Sequence, residues 1–306
     1  MAYRAIHTPA RQETGGTTME TLSDILETTS FETISSGHVF TEGPLWHPGG
    51  FFCFTDLRSN RLYRMVPGQK PTLVRETDGG NGTTFDMQGR LINCEGMGRR
   101  VTRTEADGTV TVLVDRFEGK RLSRPNDVIC RSDGTLFFTD PCILVPLADR
   151  EVGEGAIYRI TPDGDTHFVA WCEYPNGLAL SADERTLFVA NSRWTQYIHA
   201  LTLDDAGNLV RRRVFADMST DGTNGVPDGM KLDAAGRIFC TGVGGVWVFG
   251  PDGGKIGVIE TAEVCANIAF GGADLRTLFL TASTSVLTLR VKTPGLPHPW
   301  YKVRGG

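Results

Sequence analysis

The sequence lacks the features that mark several common protein classes. It has no apolar run long enough to span a membrane, and its first twenty residues lack the apolar core of a secretory signal. The densest basic run is only the three residues Arg211–Arg213, and the formal net charge is −5. These absences argue against a membrane or nucleic-acid partner.

Metal-binding motifs built on nitrogen and sulfur are missing as well. The seven cysteines show no CxxC spacing, and the six histidines form no HxxxH or HExxH pair, which argues against a zinc site of the usual kind. Most cysteines lie in apolar contexts such as "FFCF" and "RIFCT". Together with their odd number, this predicts reduced core thiols and a cytoplasmic protein.

Glycine, in contrast, is abundant, with 37 residues in a chain of 306, and apolar stretches with helical periodicity are scarce. This combination indicates many short strands joined by tight turns. Hydrophobic residues make up 40% of the chain and charged residues 22%, which is typical of a globular protein with a substantial core.

One segment type occurs six times along the chain. Each copy, such as "RPNDVICRSDGTLFFTD", begins with a Glu, Asn or Asp and continues through an apolar run, a turn and a second apolar run. We call the first residues of the copies the anchors; they lie 39 to 52 residues apart and are Glu42, Asn81, Asn126, Asn176, Asp228 and Asn267. A strand-rich repeat of this period predicts an all-β fold, a six-bladed β-propeller. A β-sandwich is the alternative fold, but it does not explain the constant register of six copies.

The repeats also suggest the domain boundaries. Residues 31–292 are predicted to form the propeller, with a strand at residues 31–37 completing the last blade and closing the ring. Residues 1–30 are interpreted as an N-terminal arm in which residues 19–27 form a short amphipathic helix covering one end. Residues 293–306 are interpreted as a C-terminal tail.

The anchors predict a site in the propeller channel. The first strand of each blade lines the channel, so equivalent residues lie at one height around its axis. A single Asn-Gly or Asp-Gly pair would be interpreted as a turn, but each copy has its own turn downstream. Two carboxylates among amides in a narrow channel would repel each other, and a divalent cation would relieve the repulsion. Oxygen ligands favour Ca²⁺, with Mn²⁺, Zn²⁺ or Mg²⁺ as possible substitutes.

The motifs "EGP", "RPND", "PNG" and "PDGM" resemble those of the gluconolactonase, senescence marker protein and luciferin-regenerating enzyme family. These are calcium-dependent six-bladed propeller lactonases related to diisopropyl fluorophosphatase. The resemblance implies that Glu42, Asn176 and Asp228 bind the metal and that Asn126 contacts the metal or the substrate. It also implies that Arg124 binds the substrate and that Asp228 is the general base or nucleophile.

Other positions fall outside these motifs or depart from them. Asn81 and Asn267 share the ring register and are predicted to contact substrate or water rather than the ion. Asp127 is expected to point away from the channel if its strand is regular.

Gly96 and its neighbour Met97 stand where bacterial gluconolactonases of this type often have a histidine, and "FTDPC" brings in Cys142. The tryptophans expected to wedge between blades are Trp46, Trp171, Trp194 and Trp247.

The function predicted from these residues is hydrolysis of a sugar lactone or a related cyclic ester. A cation in the channel would polarise the carbonyl and activate water. One alternative is a phosphotriesterase-type hydrolase that uses the same metal site. Another is a non-catalytic propeller that binds calcium and a protein partner. The substrate is expected to be a small molecule, and the sequence does not define the oligomeric state.

Overall fold

Six four-stranded antiparallel sheets dominate the computed structural model, which describes residues 20–304 of the chain. The inner strand of each sheet contacts the inner strands of the two neighbouring sheets, so the sheets form a closed ring around a channel. This arrangement confirms the predicted six-bladed β-propeller.

The elements follow one another in chain order, and blades 1 to 5 each run from the inner to the outer strand. The chain enters through α1 (Leu22–Ile25) and β1 (Glu32–Ser36). Blade 1 contains β2 (Thr41–His47), β3 (Phe51–Asp56), β4 (Arg61–Met65) and β5 (Thr72–Glu76). Blade 2 contains β6 (Gly80–Phe85), β7 (Leu91–Glu95), β8 (Arg100–Thr104) and β9 (Val110–Val114). A small hairpin, β10 (Arg116–Phe117) and β11 (Lys120–Arg121), leads into blade 3, which contains β12 (Val128–Cys130), β13 (Leu136–Asp140), β14 (Ala156–Ile160) and β15 (Thr166–Trp171).

The second half of the ring repeats this plan. Blade 4 contains β16 (Pro175–Leu180), β17 (Thr186–Asn191), β18 (Tyr197–Leu203) and β19 (Leu209–Asp217). Blade 5 contains β20 (Met230–Leu232), β21 (Ile238–Gly242), β22 (Gly245–Phe249) and β23 (Lys255–Glu260). Blade 6 contains β24 (Cys265–Gly271), β25 (Thr277–Ala282) and β26 (Ser285–Arg290), and α2 (Pro299–Arg304) follows. Neither described helix has the length and hydropathy needed to cross a bilayer.

The N-terminal strand closes the ring. Strand β1 pairs antiparallel with β26, with Glu32 opposite Thr288 and Ser36 opposite Ser285. The first strand of the described residues is therefore the outer strand of the last blade, as predicted for residues 31–37. This pairing fixes the last blade to the start of the chain and covers the edge of β26.

Helix α1 is shorter than predicted and packs against a different part of the propeller. It covers four residues rather than residues 19–27, because Leu26 is already extended and bridges to Val291. Leu22 and Ile25 join an apolar cluster with Ile259 at the junction of blades 5 and 6. The helix therefore packs on the side of the propeller instead of covering one end. Residues 1–19 of the predicted arm lie outside the described residues.

The blades are held together by apolar side chains between neighbouring sheets. Second strands are buried on both faces; all five residues of β13 are buried. All seven cysteines are buried free thiols, as expected of core residues. Trp46 and Trp247 are buried as predicted, but Trp171 and Trp194 are 48% and 72% exposed. The prediction fails there because Trp171 ends an outer strand and Trp194 occupies a loop with φ of 57°.

The C-terminal segment crosses the end of the channel away from the anchors. We call residues 293–304 the strap. The Leu296 N–H donates to the Leu232 carbonyl of blade 5 at 3.0 Å. Further along, His298 Nε2 and Thr84 Oγ1 of blade 2 form a hydrogen bond at 3.1 Å. The strap thus connects opposite sides of the ring.

A cavity of about 210 Å³ lies between the strap and the inner strands. Its walls include Leu45, Thr83 and Leu178, which stand two or three positions after the anchors of their blades. Tyr301 of the strap also donates its hydroxyl hydrogen to the Trp46 carbonyl. The strap therefore covers this end of the channel, beneath the anchors.

Candidate metal and substrate site

The six anchors stand at or just before the start of the inner strands. Glu42, Asn81, Asn176 and Asn267 lie in the first three residues of β2, β6, β16 and β24. In each of these four blades the pairing between the inner and second strands shifts register next to the anchor. Such a bulge adds a residue to one strand and re-aims its side chain. Because of these bulges, the anchor side chains do not follow the regular alternation of side-chain direction in their strands.

The glycine after several anchors has a packing role. Gly43 has φ of 51°, and a Cβ there would overlap the carbonyl oxygen of Asn81. A Cβ on Gly177 would likewise overlap the carbonyl of Asp228 in the next blade. The anchor-glycine pairs are thus not hairpin turns. The missing side chain lets neighbouring inner strands approach closely at the height of the anchors.

Glu42 is held by its own backbone and by the anchor of blade 6. Its Oε2 accepts hydrogen bonds from the Gly43 N–H at 2.7 Å and from Asn267 Nδ2 at 3.0 Å. The Asn267 Oδ1 accepts the Ile268 N–H at 2.8 Å. Both ends of the Asn267 amide are therefore engaged, and this residue supports Glu42.

Three anchors carry buried oxygens that accept no hydrogen bond from the described part of the chain: Asn81 Oδ1, Asn176 Oδ1 and Asp228 Oδ1. The Asn176 amide is oriented by Ser192, whose Oγ accepts from Asn176 Nδ2 at 3.0 Å and donates to the Pro227 carbonyl at 2.6 Å. One buried unsatisfied acceptor costs roughly 1–3 kcal/mol. Three of them in one ring indicate a site built for a ligand.

The carboxylates of the channel disfavour one another's ionised forms. Burial raises the pKa of Glu42 to about 7, and the Asp127 carboxylate adds to this effect. Burial, followed by the carboxylates of Glu42 and Asp127, raises the pKa of Asp228 well above its usual range. The Lys231 ammonium opposes the upward shift of both Glu42 and Asp127. If all three carboxylates are ionised, the Lys231 ammonium offsets one of their charges, and a divalent ion would balance the other two.

Asp127 lies within this carboxylate group, contrary to the prediction that it points away. Its Oδ1 accepts the Val128 N–H at 2.9 Å, and its Oδ2 accepts the Leu178 N–H of blade 4 at 3.3 Å. The prediction assumed regular strand alternation, but Asn126 and Asp127 precede β12 instead of lying in it. The alternation rule therefore does not apply to this pair.

Arg124 and Asn126 are fixed through their backbones. Asp140 accepts the Arg124 N–H at 2.6 Å, and the half-buried Asn126 donates its N–H to the Thr139 carbonyl at 2.8 Å. Gly96 makes room for the arginine, because a Cβ at that position would stand 3.0 Å from Arg124 Cγ. Cys142 is buried, which raises the pKa of its thiol.

The donor chemistry of the ring fits a hard cation. Within residues 20–304 no group of three or more His, Cys, Asp and Glu side chains is placed to hold a metal ion, so a cation here requires amide oxygens. Glu42 and Asp228 offer carboxylates, and Asn176 offers an unpaired amide oxygen. An all-oxygen set of mixed charge suits Ca²⁺ better than a metal that prefers nitrogen or sulfur.

Comparison with known proteins identifies the family. Residues 40–284 match the family model described as SMP-30/Gluconolactonase/LRE-like region. The chain belongs to this family. It is 31% identical to the gluconolactonase of Zymomonas mobilis, covering 87% of this chain and 83% of that protein. It is 32% identical to the pentonolactonase XacC of Haloferax volcanii, covering 79% and 81%. The solved structure of XC5397, a gluconolactonase from Xanthomonas campestris, superposes with a TM-score of 0.81 at 34% identity, covering 88% and 92%.

Several residues that support the ring were not predicted from the sequence. Thr139 Oγ1 donates to the Asn176 carbonyl of the next blade at 2.8 Å, and Thr55 Oγ1 donates to the Asn81 carbonyl at 3.1 Å. Their shared place in the two "FTD" copies was a usable signal. Ser192 lies outside every repeated motif, so no comparable pattern marks it.

Proposed function

We propose that the protein is a metal-dependent lactonase that opens a sugar lactone or a related cyclic ester to the hydroxy acid. The observation that carries the proposal is the set of unpaired buried oxygens on Asn81, Asn176 and Asp228 beside the Glu42 carboxylate. Membership of a family that includes gluconolactonases supports the reaction class. The seven buried free thiols support a reducing, cytoplasmic location.

We assign Glu42, Asn176 and Asp228 as ligands of one divalent ion, with Asn126 at or beside it. Ca²⁺ is the proposed ion because it accepts mixed carboxylate and amide ligands in irregular geometry, and Mn²⁺, Zn²⁺ or Mg²⁺ are substitutes. When bound, the cation would polarise the lactone carbonyl and lower the pKa of a water molecule. The two carboxylates would be relieved of their mutual repulsion at the same time.

We assign the other catalytic and substrate-binding roles to side chains of the protein. Asp228 is half-buried with an unpaired Oδ1, and we assign it as the general base that takes a proton from water or as the nucleophile. Arg124 would bind substrate hydroxyls or the new carboxylate through paired hydrogen bonds. Asn81 offers its free oxygen to water or substrate, while Asn267 holds Glu42.

The assignment is tested by comparing Asp228→Asn with Glu42→Gln in an assay of acid release from a panel of lactones. At saturating Ca²⁺, Asp228→Asn should remain about 10²–10⁴-fold slower than the wild type, the range for losing a general base. Glu42→Gln should recover at least in part, because extra ion compensates for a weakened ligand by mass action. Full recovery of Asp228→Asn with none for Glu42→Gln would reverse the two roles. Little effect of either substitution would remove the channel from the reaction.

A further inference from the structure

The turn between β7 and β8 lies at the anchor end of blade 2. We call this turn, residues 96–99, the blade 2 turn. The Gly96 N–H donates to the Gly79 carbonyl at 2.9 Å, and the Gly98 N–H donates to the Asp78 carbonyl at 3.0 Å. These acceptors stand two and three residues before the anchor of blade 2. Backbone hydrogen bonds therefore fix the turn directly beside the ring of anchors.

The segment that carries Arg124 runs along this turn. A Cβ built on Gly96 would lie 3.3 Å from the Pro125 carbonyl oxygen, and the Asn126 carbonyl accepts the Gly82 N–H at 2.8 Å. Gly82 belongs to β6, the inner strand of blade 2. Residues 124–126 of blade 3 therefore pass between the blade 2 turn and the inner strand of blade 2.

The aliphatic stem of Arg124 packs directly on Gly96. A Cβ built on Gly96 would lie 3.0 Å from Arg124 Cγ and 3.5 Å from Arg124 Nε. Gly96 is not among the glycines with positive φ, so its backbone conformation is open to other residues. Glycine is therefore required here by the close approach of the arginine, because a methyl group would displace a closely packed stem.

No polar group holds the guanidinium of Arg124. Asp140 accepts its backbone N–H, but within residues 20–304 the side chain has no hydrogen bond and no ion pair. Arg75 and Arg100, in contrast, both bind the Glu95 carboxylate. Arg124 is half-buried, so packing of its stem determines where the guanidinium lies. Its five N–H donors remain available to a ligand.

We propose that Gly96 is a positioning residue, which sets substrate affinity by letting Arg124 pack against the blade 2 turn. The proposal rests on the lactonase function and on the substrate-binding role of Arg124 proposed above. A side chain at position 96 would move the guanidinium and weaken its paired hydrogen bonds to substrate hydroxyls. The metal ligands do not contact Gly96 and would keep their positions.

The kinetic test is a double-mutant cycle on the Ca²⁺-loaded protein with glucono-1,5-lactone. Gly96→Ala should lower kcat/KM about tenfold, mainly through KM, because a small displacement of a binding group is costly. Arg124→Ala alone should lower kcat/KM roughly 10–100-fold, the range for hydrogen bonds to a charged group. In the Arg124→Ala background, Gly96→Ala should change kcat/KM less than about twofold, since the group on which it acts is gone.

Gly98→Ala is the matched control in the same turn. A Cβ on Gly98 would lie 3.1 Å from Arg100 Nε, so it crowds an arginine that pairs with Glu95 instead of Arg124. This variant should change kcat/KM less than about twofold. An equal loss in Gly98→Ala would show a general loosening of the turn and overturn the proposal. So would a Gly96→Ala variant without loss, or one whose loss persists in the Arg124→Ala background.

Two measurements separate this inference from a structural effect and from the proposed function. Calorimetry should give the same Ca²⁺ affinity for Gly96→Ala and the wild type, and a weakened affinity would place the effect on the metal ligands instead. Phenylglyoxal labelling of Arg124, followed by peptide mass spectrometry, requires no substrate. Because the displaced arginine is more exposed, it should react faster in Gly96→Ala than in the wild type or Gly98→Ala. Unchanged labelling would overturn the inference, whereas faster labelling in a protein that opens no lactone would refute the lactonase function alone.

Discussion

Removing the charge of Glu42 should stabilise the ion-free protein and weaken the ion-bound one. Burial and the Asp127 carboxylate raise the Glu42 pKa from 4.5 to about 7. The folded state therefore binds more protons than the unfolded state between these values, and stability is lost as pH rises from about 4.5 to 7. The full loss is about 3 kcal/mol at 1.36 kcal/mol for each pKa unit.

Glu42→Gln avoids this loss because it carries no charge at any pH. With EDTA at pH 8 it should raise the free energy of unfolding by up to about 3 kcal/mol, or about 5 °C in Tm for a chain of this size. At pH 5 the gain should be small, since wild-type Glu42 is protonated there. With Ca²⁺ at about 100 times its Kd, the wild type should gain about 2.7 kcal/mol and the variant much less.

The assay is thermal unfolding at pH 5 and pH 8, each with EDTA and with Ca²⁺. Glu263→Gln is the control, because the Glu263 carboxylate accepts hydrogen bonds from the Thr284 N–H at 2.7 Å and the Ser285 hydroxyl at 2.8 Å. That substitution should lower Tm equally with and without Ca²⁺. A lower Tm for Glu42→Gln in EDTA at pH 8 would show that the Glu42 charge does not destabilise the ion-free channel.

Three further predictions concern the support of the site and the strap. Ser192→Ala should weaken Ca²⁺ binding about 10–100-fold by calorimetry, because Asn176 loses the group that orients its amide; unchanged affinity would contradict this. Burial lowers the pKa of His298 to about 4, so the folded state stays neutral where the unfolded state binds a proton. The free energy of unfolding, measured by urea denaturation, should fall by up to about 3 kcal/mol as pH drops from 6.5 to 4. It should depend less on pH in His298→Gln, and the same pH dependence in both proteins would contradict the prediction. Trp300→Ala should cost about 3–5 kcal/mol of stability and leave kcat unchanged; loss of kcat in folded protein would give the strap a role in the reaction.

The fold could be predicted because each blade is local in sequence. The antiparallel pairing of β2 to β5 joins strands that follow one another directly, so one repeat carries the pattern of one sheet. The same locality placed Glu42 and Asp228 in equivalent positions of their blades. Even the pairing of β1 with β26 could be predicted, since the last blade has too few residues for an outer strand.

Contacts between blades could not be predicted from the repeat pattern of the sequence. Strand alternation gives the wrong direction for Asp127 because the chain is not yet a strand at this residue. Ser192 joins Asn176 to Pro227 across a blade boundary, and Lys231 opposes carboxylates on other blades; both depend on how neighbouring sheets pack. Trp194 was expected inside because tryptophan is large and apolar, but its loop conformation exposes it.

The most direct test of metal dependence is the rate of acid release from glucono-1,5-lactone by protein stripped with EDTA and then titrated with Ca²⁺. Stripping should lower the rate to that of spontaneous hydrolysis, and about one equivalent of Ca²⁺ per chain should restore it. Full activity in the stripped protein, with the ion shown to be absent by elemental analysis, would contradict a metal-dependent reaction at the ring of anchors.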